Sequence, residues 1–119
     1  MINNGNKRSS KENRNIASID IGSHTARLLI VRETASEHLF KTIVRKRAYI
    51  RLAEGLDKHS KDKISLEAIK RTIKVLDDFI HSVKKYNADV ICAVATGVIR
   101  RAANRKYFLD LIRIKVQIF

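Results

Sequence analysis

The sequence predicts an α/β fold in which three antiparallel strands precede a helix, a strand and a second helix. Short apolar segments separated by tight polar breaks fill the first half. One long stretch with helical periodicity occupies the middle, and a further apolar strand leads into a short helical segment near the end. Residues 1–15 are rich in Asn, Lys, Arg and Ser without apolar periodicity, so they read as a disordered polar tail before a domain at 16–119. Ile16-Ala17-Ser18-Ile19-Asp20-Ile21 is the first strand, and it ends in Gly22-Ser23. The second covers residues 26–31 and the third lies within 39–50. Loops this short between strands imply antiparallel neighbours.

Residues 64–86 form the clearest helix. Ile69, Ile73, Leu76, Ile80 and Val83 recur at spacings of three and four and so share one stripe. Ser65 is the expected N-cap, Ile64 and Ile69 are placed as a hydrophobic staple, and Lys84 and Lys85 suit the carbonyl-rich end. Val90-Ile91-Cys92-Ala93-Val94-Ala95 reads as a buried strand, Gly97 as a turn, and residues 104–112 as the last helix. Val116-Gln117-Ile118-Phe119 resembles the start of another strand. Three antiparallel strands followed by such units describe the ribonuclease-H-like layout shared by actin-like ATPase domains, in which the later strands run parallel to the first and helices cover the sheet.

Composition narrows the function classes. The chain carries 25 Lys+Arg against 12 Asp+Glu, a net charge of +13, and this excess attracts polyanions. Lys41, Arg45, Lys46, Arg47 and Arg51 form one acid-free cluster, and Arg100, Arg101, Arg105 and Lys106 a second. Either is a solvated surface or an electrostatic funnel. Aromatics do not alternate with these cations, and no zinc-finger or RNA-recognition spacing occurs, so nucleic acid stays an alternative partner only. No stretch approaches the ~20 apolar residues of a membrane span, and the first 15 residues lack a secretory h-region, so the mature N-terminus is expected near Met1. With Cys92 as the single cysteine, a cytoplasmic location is expected.

Two turns could carry chemistry. In Asp20-Ile21-Gly22-Ser23-His24-Thr25, a carboxylate at a strand end can hold a divalent cation, Gly22 permits close backbone approach to a phosphate, and Ser23 and Thr25 supply donors. The same residues also make an ordinary hairpin. In Thr96-Gly97-Val98-Ile99-Arg100, amides at a helix start and an arginine one turn on can hold an anion, or Gly97 is a plain turn and Arg100 a solvated charge. The fourth strand should lie beside the first, which brings both turns to one sheet end. A two-metal nuclease is excluded, because the fourth strand ends in Ala95-Thr96 without a carboxylate. Cys92, inside an apolar strand, is expected to be packed and inert. His24, His38, His59 and His81 lack metal-ligand spacing, and only His24 adjoins a turn of interest.

Three segments resemble the exopolyphosphatase / guanosine pentaphosphate phosphatase (Ppx/GppA) family. Ile19-Asp20-Ile21-Gly22-Ser23-His24-Thr25-Ala26-Arg27-Leu28 is similar to its first phosphate-binding segment, Arg51-Leu52-Ala53-Glu54-Gly55-Leu56 to its second block, and Ala95-Thr96-Gly97-Val98-Ile99-Arg100-Arg101-Ala102-Ala103-Asn104 to its third. Together they span about residues 16–112 in family order. The resemblance implies an actin-like fold that hydrolyses the terminal phosphoanhydride of polyphosphate or guanosine pentaphosphate with Mg²⁺. It places Asp20 on the metal, Gly22, Ser23 and Thr25 at the phosphate, and Arg100 along the phosphate chain. Thr96 and Asn104 would support the loop, His24 would flank it, and Glu54 lies in the second block as a supporting residue with no step assigned, capping of its own loop being the other reading.

Departures from the family pattern are His24 for Asn, Gly97 for Ser, and Arg101 at an acidic or polar position. The general-base glutamate and the second glycine-rich phosphate loop, which the family carries beyond the next strand, are absent. The expectation is therefore a truncated N-terminal lobe, largely inactive alone, with a homodimer or a separately encoded C-terminal half to cover its open sheet edge. The alternative is a non-catalytic basic polyanion-binding or regulatory remnant.

Overall fold

The computed structural model describes residues 14–35, 39–55 and 63–116. A four-stranded sheet is built from β1 (Asn15–Ile21), β2 (Thr25–Glu33), β3 (Phe40–Tyr49) and β4 (Asp89–Ala95), in the order β3-β2-β1-β4. A 3-10 turn at Leu52–Gly55 follows β3. The helices are α1 (Leu66–Lys85), α2 (Val98–Arg101) and α3 (Arg105–Val116). β1 pairs antiparallel with β2 and parallel with β4, and β2 pairs antiparallel with β3, so the actin-like layout is the one observed.

Alternation decides which sheet face is covered. Ala17, Ile19 and Ile21 on β1 and Ala26, Leu28 and Ile30 on β2 are all at most 2% exposed. They share one core with Leu76 and Phe79 of α1 and Phe108 and Ile112 of α3. The period of two places every second residue on that face, so Ser18 and Asp20 point to the other. Here the described residues supply no cover.

Ser65 caps α1 as expected. Its backbone is extended and its hydroxyl accepts the Ala68 amide at 3.1 Å, while Ile64 and Ile69 are both buried. Ser65→Ala should cost about 1 kcal/mol of unfolding free energy, measurable by urea denaturation. The buried stripe is rotated from the expected one. Phe79 (1% exposed) and Thr72 (0%) lie at its centre, whereas Ile73 and Ile80 are only half-buried. Thr72 tolerates burial because its hydroxyl bonds back to the Ala68 carbonyl at 2.9 Å.

Three expectations are corrected. β4 is an outer strand of the sheet rather than a buried one: Ile91 and Val94 are 58% and 43% exposed, and Cys92 is exposed rather than packed. An apolar edge strand with one uncovered face has the same composition as a central one. Val116 ends α3 instead of opening a strand, and residues 117–119 lie outside the described region. β1 begins at Asn15, not Ile16, because Asn15 donates to the Tyr86 carbonyl at 2.7 Å and accepts from Arg32 at 3.0 Å. The rest of the polar tail (1–13), His38, His59 and Leu56 also lie outside the described residues. No described helix is long and apolar enough to cross a membrane.

Candidate functional site

The β1–β2 turn is closed by the Gly22 amide donating to the Thr25 carbonyl at 3.0 Å, which leaves Ser23 and His24 at the tip. A Cβ on Gly22 would sit 3.2 Å from that carbonyl, so the tight closure favours glycine. Segment 50–53 docks onto this tip through the backbone. Ile50 and Arg51 amides donate to the His24 carbonyl at 2.8 and 3.1 Å, and the Leu52 amide donates to the Ser23 carbonyl at 2.8 Å. Arg71 of α1 secures the segment from behind, with Nε on the Ile50 carbonyl and a terminal nitrogen on that of Arg51, both at 3.0 Å. Glu54 pairs with Arg51 at 3.3 Å across the 3-10 turn and is exposed.

The third segment reaches the same place from β4. The Thr96 amide donates to the Ile21 carbonyl at 3.0 Å and extends the β1–β4 pairing to the turn. Gly97 then adopts φ 66° and ψ −125°, a conformation that side chains disfavour, and a Cβ there would collide with Ser23 Oγ. The Val98 amide donates to Ser23 Oγ at 2.9 Å. That bond holds the oxygen in place and leaves the hydroxyl hydrogen free to donate outward. The two turns therefore lie at one sheet end, as expected from strand order, and they also interlock. Because Val98 N–H is already used, α2 offers one fewer amide to an anion than its sequence suggested.

The remaining candidates are distributed around this junction. Thr25 is half-buried on β2 opposite Tyr49, and His24 and Thr96 are exposed beside the turns. Arg100 is exposed on α2, and its guanidinium has no hydrogen bond or ion pair among the described residues. Its carbonyl accepts from Arg105 at 2.7 Å. Asn104 acts elsewhere: its amide oxygen accepts the Ile64 N–H and its nitrogen donates to the Ile64 carbonyl, each at 2.9 Å. It thus ties the start of α3 to the entry of α1 rather than bracing Gly97. Asp20, half-buried near the end of β1, faces the open side of the sheet with Arg27 as its cross-strand partner. No cluster of three His, Cys, Asp or Glu occurs among the described residues. Sequence reasoning missed Arg71 and the Val98 amide, since neither carries a local signal.

The sequence model of the Ppx/GppA phosphatase family matches residues 29–118. The chain belongs to that family. Solved structures with the same arrangement include the Aquifex aeolicus Ppx/GppA phosphatase, at 28% identity and a TM-score of 0.77 over 87% of this chain. An exopolyphosphatase from Cytophaga hutchinsonii is 27% identical with a TM-score of 0.76 over 88%. This chain covers 33% and 32% of those two structures, so it spans about a third of the length of these family members.

Proposed function

We propose that this chain forms the lobe that holds phosphate and metal in an exopolyphosphatase-like hydrolase acting on the terminal phosphate of polyphosphate or guanosine pentaphosphate. The carrying observation is the Val98 N–H···Ser23 Oγ bond, which fastens two separate glycine turns into one donor-rich corner. In this reading Ser23 donates its free hydroxyl hydrogen to a phosphate oxygen, assisted by Thr25 and the backbone around Gly22. Arg100, whose guanidinium has no partner among the described residues, neutralises the adjoining chain. His24 flanks the turn.

Asp20 suits a magnesium ion, which is commonly held by one or two carboxylates together with water and substrate phosphates. Bound there, Mg²⁺ would spread the charge of the transferring group. Asp20 would hold it through an unpaired, half-buried carboxylate. In-line attack also needs a group to orient and deprotonate water. Asp20 lies near the end of β1 on the open sheet face, and Glu54 is paired with Arg51. A further segment or subunit would have to provide the base.

The purified 119-residue chain is therefore expected to release phosphate from polyphosphate or guanosine pentaphosphate with Mg²⁺ at no more than background rate. Robust release that Asp20→Ala abolishes would show instead that this chain contains its own base. A second reading, plain polyanion binding, draws on Arg27, Arg45 and Arg47 grouped on the open sheet face. It predicts binding that is salt-sensitive and independent of Mg²⁺.

A further inference from the structure

Arg71 is half-buried on α1 and forms no ion pair with a described residue. Its guanidinium serves two neutral acceptors instead, with Nε on the Ile50 carbonyl and a terminal nitrogen on the Arg51 carbonyl, both at 3.0 Å. Arg51 itself takes φ 49°, in the left-handed region that side chains disfavour. The two carbonyls held by Arg71 are therefore those on either side of a strained residue. A rigid, planar fork of donors suits two adjacent acceptors, whereas an ammonium is a single point of charge. Buried Ile50 and Leu52 side chains anchor the segment in the core, but burial does not choose how its peptide planes are turned. The bonds from Arg71 do.

The amides of the same segment point to the phosphate corner. Those of Ile50 and Arg51 donate to the His24 carbonyl at 2.8 and 3.1 Å, and that of Leu52 to the Ser23 carbonyl at 2.8 Å. Ser23 Oγ in turn accepts the Val98 amide at 2.9 Å. One chain of hydrogen bonds thus runs from α1 through residues 50–52 to Ser23 and on to the start of α2. Its origin is firm, because Asn104 pins the entry of α1 through both polar groups of Ile64 and Phe79 packs in the core. We propose that Arg71 is a positioning residue of the phosphate corner. By fixing the peptide planes of residues 50–52 it holds the Ser23 and His24 carbonyls, and so sets where the Ser23 hydroxyl meets a phosphate oxygen. Arg71 acts through this segment and not by its charge. The inference rests on the corner being the phosphate site.

Two readings on the 119-residue chain test this: calorimetric titration with tripolyphosphate, and native-state amide exchange followed by NMR. Arg71→Ala should weaken tripolyphosphate binding about tenfold. The charge-matched Arg71→Lys should still weaken it by about threefold or more, because the fork is lost while the charge stays. Ser65→Ala, which removes the cap of α1 without touching segment 50–52, should leave the affinity at the parent value. In both Arg71 variants the Leu52 and Val98 amides should exchange about tenfold faster, with the Phe79 amide at its parent rate. Should Arg71→Ala not fold, Arg71→Lys decides by the same two readings. Parent-like affinity in the Arg71 variants, with Ser23→Ala weakened, overturns the positioning role and leaves the phosphate site standing. Parent-like affinity in Ser23→Ala overturns the phosphate site, and the proposal with it. Equal acceleration of the Leu52, Val98 and Phe79 amides would reveal a general loss of stability and also overturns the proposal.

Discussion

Gly97→Ala should both destabilise the chain and dismantle the phosphate corner. Gly97 occupies φ 66° and ψ −125°, where a residue with a Cβ incurs strain of about 1–3 kcal/mol. The added methyl would also collide with Ser23 Oγ and so displace the acceptor of the Val98 amide. That bond contributes a further ~1 kcal/mol. Urea denaturation should show the combined loss, and calorimetric titration with tripolyphosphate should show affinity reduced by about tenfold or more. A variant with unchanged stability and affinity would mean that the two turns are not mechanically joined.

Phe79→Ala should have the largest effect on stability. Phe79 is 1% exposed in the same core as Leu28, Ile30 and Phe108. Its truncation should cost about 3–5 kcal/mol, from lost transfer energy and the cavity left behind. Small domains are stable by only about 5–15 kcal/mol, so much of the margin would go. Ile73→Ala, at the half-buried border of the same helix, should cost distinctly less. Equal losses at the two positions would contradict the observed rotation of the α1 stripe.

These two residues also mark where the sequence was readable. The strand and helix elements followed from period-two segments, short loops and one long amphipathic helix, because local patterning dictates those features, whereas the parallel return of β4 beside β1 followed only from the layout that this element order resembles. Ser65 as N-cap was legible for the same reason. The centre of the α1 stripe was not, because Phe79 and Ile80 are adjacent apolar residues and only packing chooses between them. The exposure of Cys92 was hidden too, since an edge strand with one bare face has the composition of a buried one. At the site, Gly97 was legible as a turn, but the reason for glycine lies in Ser23, which is distant in sequence. Asn104 was assigned to the wrong loop because its partner, Ile64, is 40 residues away. Arg71, which braces segment 50–51 from α1, looked like any solvated helix cation.

The most direct test of the account is a calorimetric titration of the chain with tripolyphosphate, with and without Mg²⁺, comparing the parent with Ser23→Ala, Asp20→Ala and the charge-matched pair Arg100→Ala and Arg101→Ala. The two turns acting as one phosphate site predict a defined binding stoichiometry that Ser23→Ala and Arg100→Ala weaken about tenfold, with Arg101→Ala nearly silent. They also predict that Mg²⁺ strengthens binding and that Asp20→Ala removes this enhancement. Binding that ignores Mg²⁺, falls equally for Arg100→Ala and Arg101→Ala, and survives Ser23→Ala would contradict the account and leave only diffuse positive charge.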